Sequence, residues 1–176
     1  MTEILTARLR LTVPTIDHLP ACRALWSDPA VTRFIGGVPQ TEEQVWSRLL
    51  RYIGHWQAMG FGYWVVQTID GGRFVGEIGF SDYRRDTVPR FDGTPEMGWV
   101  LSPEAQGQGF AREATEAALA WRDAHLPGAE TVAIIQPDHA ASLRVADKLG
   151  FVAEQTAIYH DAPILLLRRT RMIPSR

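Results

Sequence analysis

Cysteine is almost missing from this chain: Cys22 is the only one in 176 residues. An internal disulfide is excluded, a reducing compartment is expected, and Cys22 reads as a packing residue in an apolar helical setting. No apolar run approaches membrane-spanning length and no signal-peptide core opens the sequence, so the expectation is a cytoplasmic protein with no membrane partner. Positive charge is in no excess either. Eighteen Lys and Arg stand against twenty Asp and Glu, for a net charge of −2. The cations are scattered, which denies nucleic acid the basic stripe that it needs. The five histidines (His18, His55, His125, His139 and His160) share no metal-ligand spacing, and no metal is expected.

What is present suits one domain over residues 1–176: 45% apolar and 22% charged residues are ordinary for a globular core of this size. Leu9, Leu11 and Val13 alternate with Arg8, Arg10 and Thr12 as a half-buried strand. Pro14–Thr15 opens a short helix carrying Leu19, Cys22 and Leu25–Trp26, and Asp28–Pro29 starts a second helical piece. Thr41 and Gln44 have capping-box spacing ahead of a helix bearing Val45, Leu49, Ile53 and Trp56, which Gly60 ends. Tyr63–Ile69 and Phe74–Ser81 read as strands joined at Asp70-Gly71-Gly72.

Beyond a polar stretch from Asp82 to Thr94, the strand Glu96–Leu101 leads through Ser102-Pro103 to Gln106-Gly107-Gln108-Gly109-Phe110-Ala111 and a helix to about Leu126. Thr131–Gln136 is a strand. Asp138 has the position of a helix cap, and Gly150 supplies a left-handed stop. Val152–Tyr159 and Ile164–Arg171 turn about Asp161-Ala162-Pro163. Arg84–Arg85 and Arg168–Arg169 read as solvated faces. Trp26, Trp46, Trp56 and Trp121 read as packing residues, whereas Trp64 and Trp99 have the position to line a cleft.

The turn at residues 106–111 is the most informative segment. A strand, two glycines and a helix start leave backbone N–H groups unpaired, and the helix dipole adds positive character there. The turn reads equally as a phosphate seat or as a tight connection. It is not a P-loop, because no Gly-Lys pair exists in the chain. It is not a dinucleotide fingerprint, because Arg112 stands where a small third residue belongs and Glu130 opens the next strand instead of closing it.

The pattern Gln/Arg-x-x-Gly-x-Gly/Ala after a strand resembles the pyrophosphate loop of the GNAT N-acetyltransferase superfamily. Three local motifs agree in register. Thr6-Ala7-Arg8-Leu9-Arg10-Leu11 is similar to the opening of the RimJ/RimL-like branch, and Glu96-Met97-Gly98-Trp99 through Ala111-Arg112-Glu113-Ala114 to its strand–loop–helix. Ala141-Ser142 through Gly150-Phe151 resembles its coenzyme helix. This likeness implies an α/β GNAT fold: a single mixed, mostly antiparallel sheet of about seven strands, splayed at the coenzyme site, with helices on both faces.

The resemblance further implies acetyl-CoA as cosubstrate, with its pantetheine on the backbone of Trp99, Val100 and Leu101 and its pyrophosphate on Gln106, Gly107, Gln108, Gly109, Phe110, Ala111 and Arg112. Ser142 matches a coenzyme contact; the alternative is a helix-start hydroxyl bonding its own backbone. His139 replaces a usual Asn, and a ring nitrogen either donates in its place or faces water. Direct attack of a primary amine needs a base, for which Glu96 is the first candidate and Glu77, between Gly76 and Gly79, the second. Tyr159 resembles the acid that some members aim at the departing thiolate. The implied acceptor is a protein or peptide N-terminus or a small amine, and a homodimer is common in the family. The runner-up readings are a non-catalytic acyl-CoA sensor and a transferase of a longer acyl group.

Overall fold

The computed structural model describes residues 2–171. Eight strands form one open, mostly antiparallel sheet in the order β1-β2-β3-β4-β5-β6-β8-β7. They are β1 (Ile4–Leu5), β2 (Leu9–Thr12), β3 (Tyr63–Thr68), β4 (Phe74–Ser81), β5 (Glu96–Leu101), β6 (Glu130–Ile135), β7 (Val152–Tyr159) and β8 (Ala162–Thr170). The helices are α1 (Leu19–Trp26), α2 (Pro29–Thr32), α3 (Glu42–Met59), α4 (Phe110–His125) and α5 (Ala140–Lys148). The strand count exceeds the expected seven by β1, which at two residues is too short to show any periodicity.

The chain gathers into two compact units that interleave along the sequence. The first takes residues up to Gly79 together with Trp99–Ala118, and the second takes Phe80–Gly98 and residues from Leu119 onward.

In the first unit β2 lies antiparallel between β1 and β3, with Leu9 opposite Thr68 and Leu11 opposite Val66. Leu9 and Leu11 are fully buried while Arg10 is exposed, as the alternation requires. The β3–β4 hairpin turns through Gly71 and Gly72, both at positive φ (75° and 64°). α3 starts on a complete capping box: Gln44 N–H donates to Thr41 Oγ1 at 3.3 Å and Thr41 N–H to Gln44 Oε1 at 2.9 Å. Gly60 closes it at φ 73°. Cys22, Leu25, Trp26, Val31, Val45, Leu49 and Val65 form the core beneath these helices.

In the second unit β6 and β7 flank β8, both antiparallel to it, while β5 runs parallel to β6 with Glu96 opposite Val132. The β7–β8 turn is made by His160 and Asp161, at φ 48° and 59°. Ala162 already pairs with Tyr159, so the expected turn at Asp161-Ala162-Pro163 begins one residue early. Asp138 does not cap α5: the N-cap is His139, with no side-chain cap bond. The end of α5 is as expected, with Gly150 at φ 80° and the Phe151 N–H donating to the Ala146 carbonyl at 3.0 Å.

Arg122 was not singled out from sequence. It is fully buried, donating to the carbonyls of Pro127, Gly128 and Glu130, so it fastens the end of α4 to the start of β6.

Candidate active site

The glycine turn takes the form that an anion seat needs. Gly107 and Gly109 sit at φ 73° and 79°, conformations that other residues adopt only with strain. A Cβ on Gly107 would project into open space, so conformation and not crowding selects glycine there. The first α4 bond runs from Glu113 N–H to the Gly109 carbonyl at 3.1 Å. The N–H groups of Phe110, Ala111 and Arg112 precede it and have no partner within the helix. Gln106 to Gly109 are exposed, Phe110 is buried, and the Arg112 side chain turns back to Glu116 at 2.7 Å.

Behind the turn, β5 is packed unusually tightly on β4. A Cβ on Gly76 would collide with the Val100 carbonyl and the Leu101 backbone, and one on Gly79 with Gly62 and Tyr63. The glycines around Glu77 therefore admit the backbones of neighbouring strands. Trp99 and Val100 are half-buried and Leu101 is buried.

Glu77 lies among Cys22, Trp26, Arg48 and Tyr52 and is 1% exposed. Trp26 Nε1–H donates to Oε2 at 2.9 Å, while Oε1 is buried without a bond of ordinary geometry. The Arg48 guanidinium covers the Trp26 ring at 3.7 Å. Burial raises the Glu77 carboxyl above its ordinary range, outweighing the opposing effects of Cys22, Trp26 and Arg48. Burial and the neighbouring Glu77 in turn push the Cys22 thiol far up, so it is inert, as expected.

Within the second unit Glu96 is 3% exposed, so it is not a strand-end carboxylate facing water. Arg85 donates to both of its oxygens, Nε to Oε2 at 2.5 Å and Nη2 to Oε1 at 2.9 Å. Nη1 of the same guanidinium donates to the Tyr159 hydroxyl at 2.8 Å. Two of the three sequence-derived catalytic candidates are thus joined through one arginine. The solvated reading of Arg85 is wrong: its side chain is 19% exposed, against 67% for Arg84. Arg168 and Arg169 are also engaged, with Glu130 and Glu154 and with Asp123.

His139 is half-buried and not simply solvated: its Nε2 and the Ser142 Oγ share a hydrogen bond of 3.0 Å. Burial lowers the imidazole below its ordinary range, against an opposing effect of Asp138, so the neutral ring is favoured. Trp64 is fully buried and donates to the Thr2 carbonyl at 2.6 Å, so it lines no cleft.

Residues 8–152 match the family model of the acetyltransferase (GNAT) domain. The chain belongs to the GNAT acetyltransferase family.

As a GNAT-family N-acetyltransferase, it is similar along its length to several relatives. A solved putative GnaT-family acetyltransferase from Bordetella pertussis is 32% identical, with TM-score 0.85 over 97% of this chain and all of that one. An uncharacterized N-acetyltransferase, p20, from Bacillus licheniformis is 25% identical over 158 residues, 88% of this chain and 84% of its own. RimL, a ribosomal L7/L12 α-N-protein acetyltransferase in complex with coenzyme A, shares the fold at TM-score 0.77 and 16% identity, covering 96% of this chain and 98% of its own.

GNAT acetyltransferases bind acetyl-CoA and an acceptor. No helix among the described residues is long and apolar enough to cross a membrane. Sequence reading of this GNAT domain missed Arg85, whose only signal was its place in an Arg pair. It also gave no role to Arg8 and Arg73, which reach the glycine turn from distant segments.

Proposed function

We propose that residues 1–176 form one GNAT domain that moves acetyl from acetyl-CoA to a primary amine by direct attack within a ternary complex. The observation that carries this is the Gly107/Gly109 turn, whose positive φ values precede N–H groups that have no partner within the helix. The pyrophosphate rests on Gln106–Arg112, and the backbone of Trp99–Leu101 holds the pantetheine and polarises the thioester carbonyl. His139 and Ser142 add a second contact to the coenzyme.

The amine nitrogen attacks the carbonyl carbon, the C–S bond breaks, and the sulfur departs as thiolate. Glu96 takes the proton from the amine, directly or through a water. A carboxylate has about four lone-pair sites, so the two bonds from Arg85 leave room for this. Tyr159 returns a proton to sulfur: its oxygen accepts from Arg85, which leaves its own O–H free to donate. Glu77 is the second base candidate: burial raises its carboxyl above the ordinary range, and a carboxylate so raised takes a proton more readily once it is ionised.

Likeness to the RimJ/RimL branch favours a peptide or protein N-terminus as acceptor, with small amines next. The lone buried Cys22 supports a cytoplasmic setting. Initial rates with both substrates varied test the mechanism. A ternary complex gives intersecting reciprocal plots; parallel plots would mean an acetyl-enzyme and overturn direct attack.

A further inference from the structure

We infer that Arg8 is the positioning residue of the coenzyme turn: it fixes the peptide between Gln108 and Gly109 so that the turn keeps one anion-binding shape. This rests on the reading that the turn seats the pyrophosphate of acetyl-CoA.

Arg8 lies about a hundred residues before the turn, yet it meets it at three points. Its Nη1 donates to the Gln108 carbonyl at 3.0 Å. Its Nε and Nη2 reach Glu113 Oε2 at 2.7 and 2.6 Å, one helical turn further on. The guanidinium also covers the Phe110 ring at 4.6 Å. The segment that carries Arg8 is itself pinned to the same carboxylate, because Arg8 N–H and the Thr6 hydroxyl donate to Glu113 Oε1 at 2.9 and 2.6 Å. A Cβ on Gly109 would lie 3.5 Å from Arg8 Nη2, an ordinary contact, so the positive φ and not crowding by Arg8 calls for glycine there.

Arg73, from the β3–β4 hairpin, supplies a second hold. Its Nη2 donates to Gln108 Oε1 at 3.1 Å, and Gln108 Nε2 donates onward to the Glu104 carbonyl at 2.6 Å. Gln108 is therefore anchored at its main-chain oxygen and at both ends of its side-chain amide.

The consequence follows from peptide geometry. In a trans peptide the C=O and the following N–H point in opposite directions. Holding the Gln108 carbonyl on Arg8 aims the Gly109 N–H away from Arg8, toward the other side of the turn. A segment with two glycines is otherwise free to rotate that plane, and an anion binding it would have to order it. Because the charge of Arg8 is matched by Glu113, the pair acts through shape more than through net charge.

The test compares coenzyme A with pantetheine, which lacks the pyrophosphate and nucleotide, by calorimetric titration of the full chain. The wild type binds coenzyme A the more tightly. Arg8→Met weakens coenzyme A by about ten- to a hundredfold, the scale on which misplaced binding groups act, and leaves pantetheine unchanged. Arg8→Lys keeps the charge without the fork and does not restore the lost affinity. Arg73→Met, at an exposed position, shows a smaller loss in the same direction and serves if Arg8→Met does not fold.

Equal losses for both ligands, no loss for either, or full rescue by Arg8→Lys would overturn the role of Arg8. A wild type that binds both ligands equally would overturn the pyrophosphate reading itself, and the inference would fall with it.

Discussion

Arg85 grips Glu96 with two prongs, Nε on Oε2 and Nη2 on Oε1, and both groups are largely removed from water. Breaking such a pair from one side strands the other charge. Arg85→Met is expected to cost on the order of 3 kcal/mol in denaturant unfolding. Adding Glu96→Gln to it should recover part of that loss, since the stranded charge is then gone. Additive losses in the double variant would show that the two groups are energetically independent.

Tyr159 tests the other end of the same arginine. If its phenol protonates the thiolate, Tyr159→Phe lowers kcat by about a hundredfold or more while coenzyme A affinity holds. Unchanged turnover would remove Tyr159 from the chemistry and leave it as a hydrogen-bonded packing residue.

Glu77 makes stability depend on pH in a defined direction. Its carboxyl is raised in the folded state above the ordinary value of 4.5, chiefly by burial. A raised group contributes stability that is complete below the unfolded pKa and is lost as pH rises through the folded one. Glu77→Gln removes this dependence. Its melting temperature relative to wild type should therefore climb as pH is raised from about 4.5 toward neutrality and above. A difference that stays flat across that range would mean that Glu77 is not held in its neutral form.

Gly76 sits at φ 156° with the Val100 carbonyl where a Cβ would go. Gly76→Ala should destabilise the fold by roughly 3 kcal/mol, through backbone strain and the forced separation of β4 from β5. Thermal unfolding measures it directly, and a near-neutral effect would contradict the close approach of these strands.

The parts of this molecule written in local patterns were legible in its sequence. The α3 capping box, the Gly60 and Gly150 stops and the Gly71–Gly72 hairpin each depend on residues a few positions apart. The strand Leu9–Thr12 showed itself by alternation. The glycine turn was legible because positive φ and a helix start both leave compositional marks. What could not be read depended on distant partners. Nothing local distinguishes Arg85, clamped on Glu96 and Tyr159, from Arg84 beside it in water. Arg122 reads as one more helix charge until three carbonyls from the following turn and strand close around it. β1 escaped because two residues carry no period, and Asp138 misled because a good capping residue stood one position early.

The most direct test of the central claim is thiol release from acetyl-CoA against a panel of peptide N-termini, aminoglycosides, polyamines and free amino acids, with Glu96→Gln run beside the wild type. Amine-dependent release with a peptide N-terminus, largely lost in the variant while acetyl-CoA still binds, is the expected result. Tight acetyl-CoA binding with no amine-dependent release from any acceptor class would contradict the account and identify the chain as a coenzyme binder without turnover.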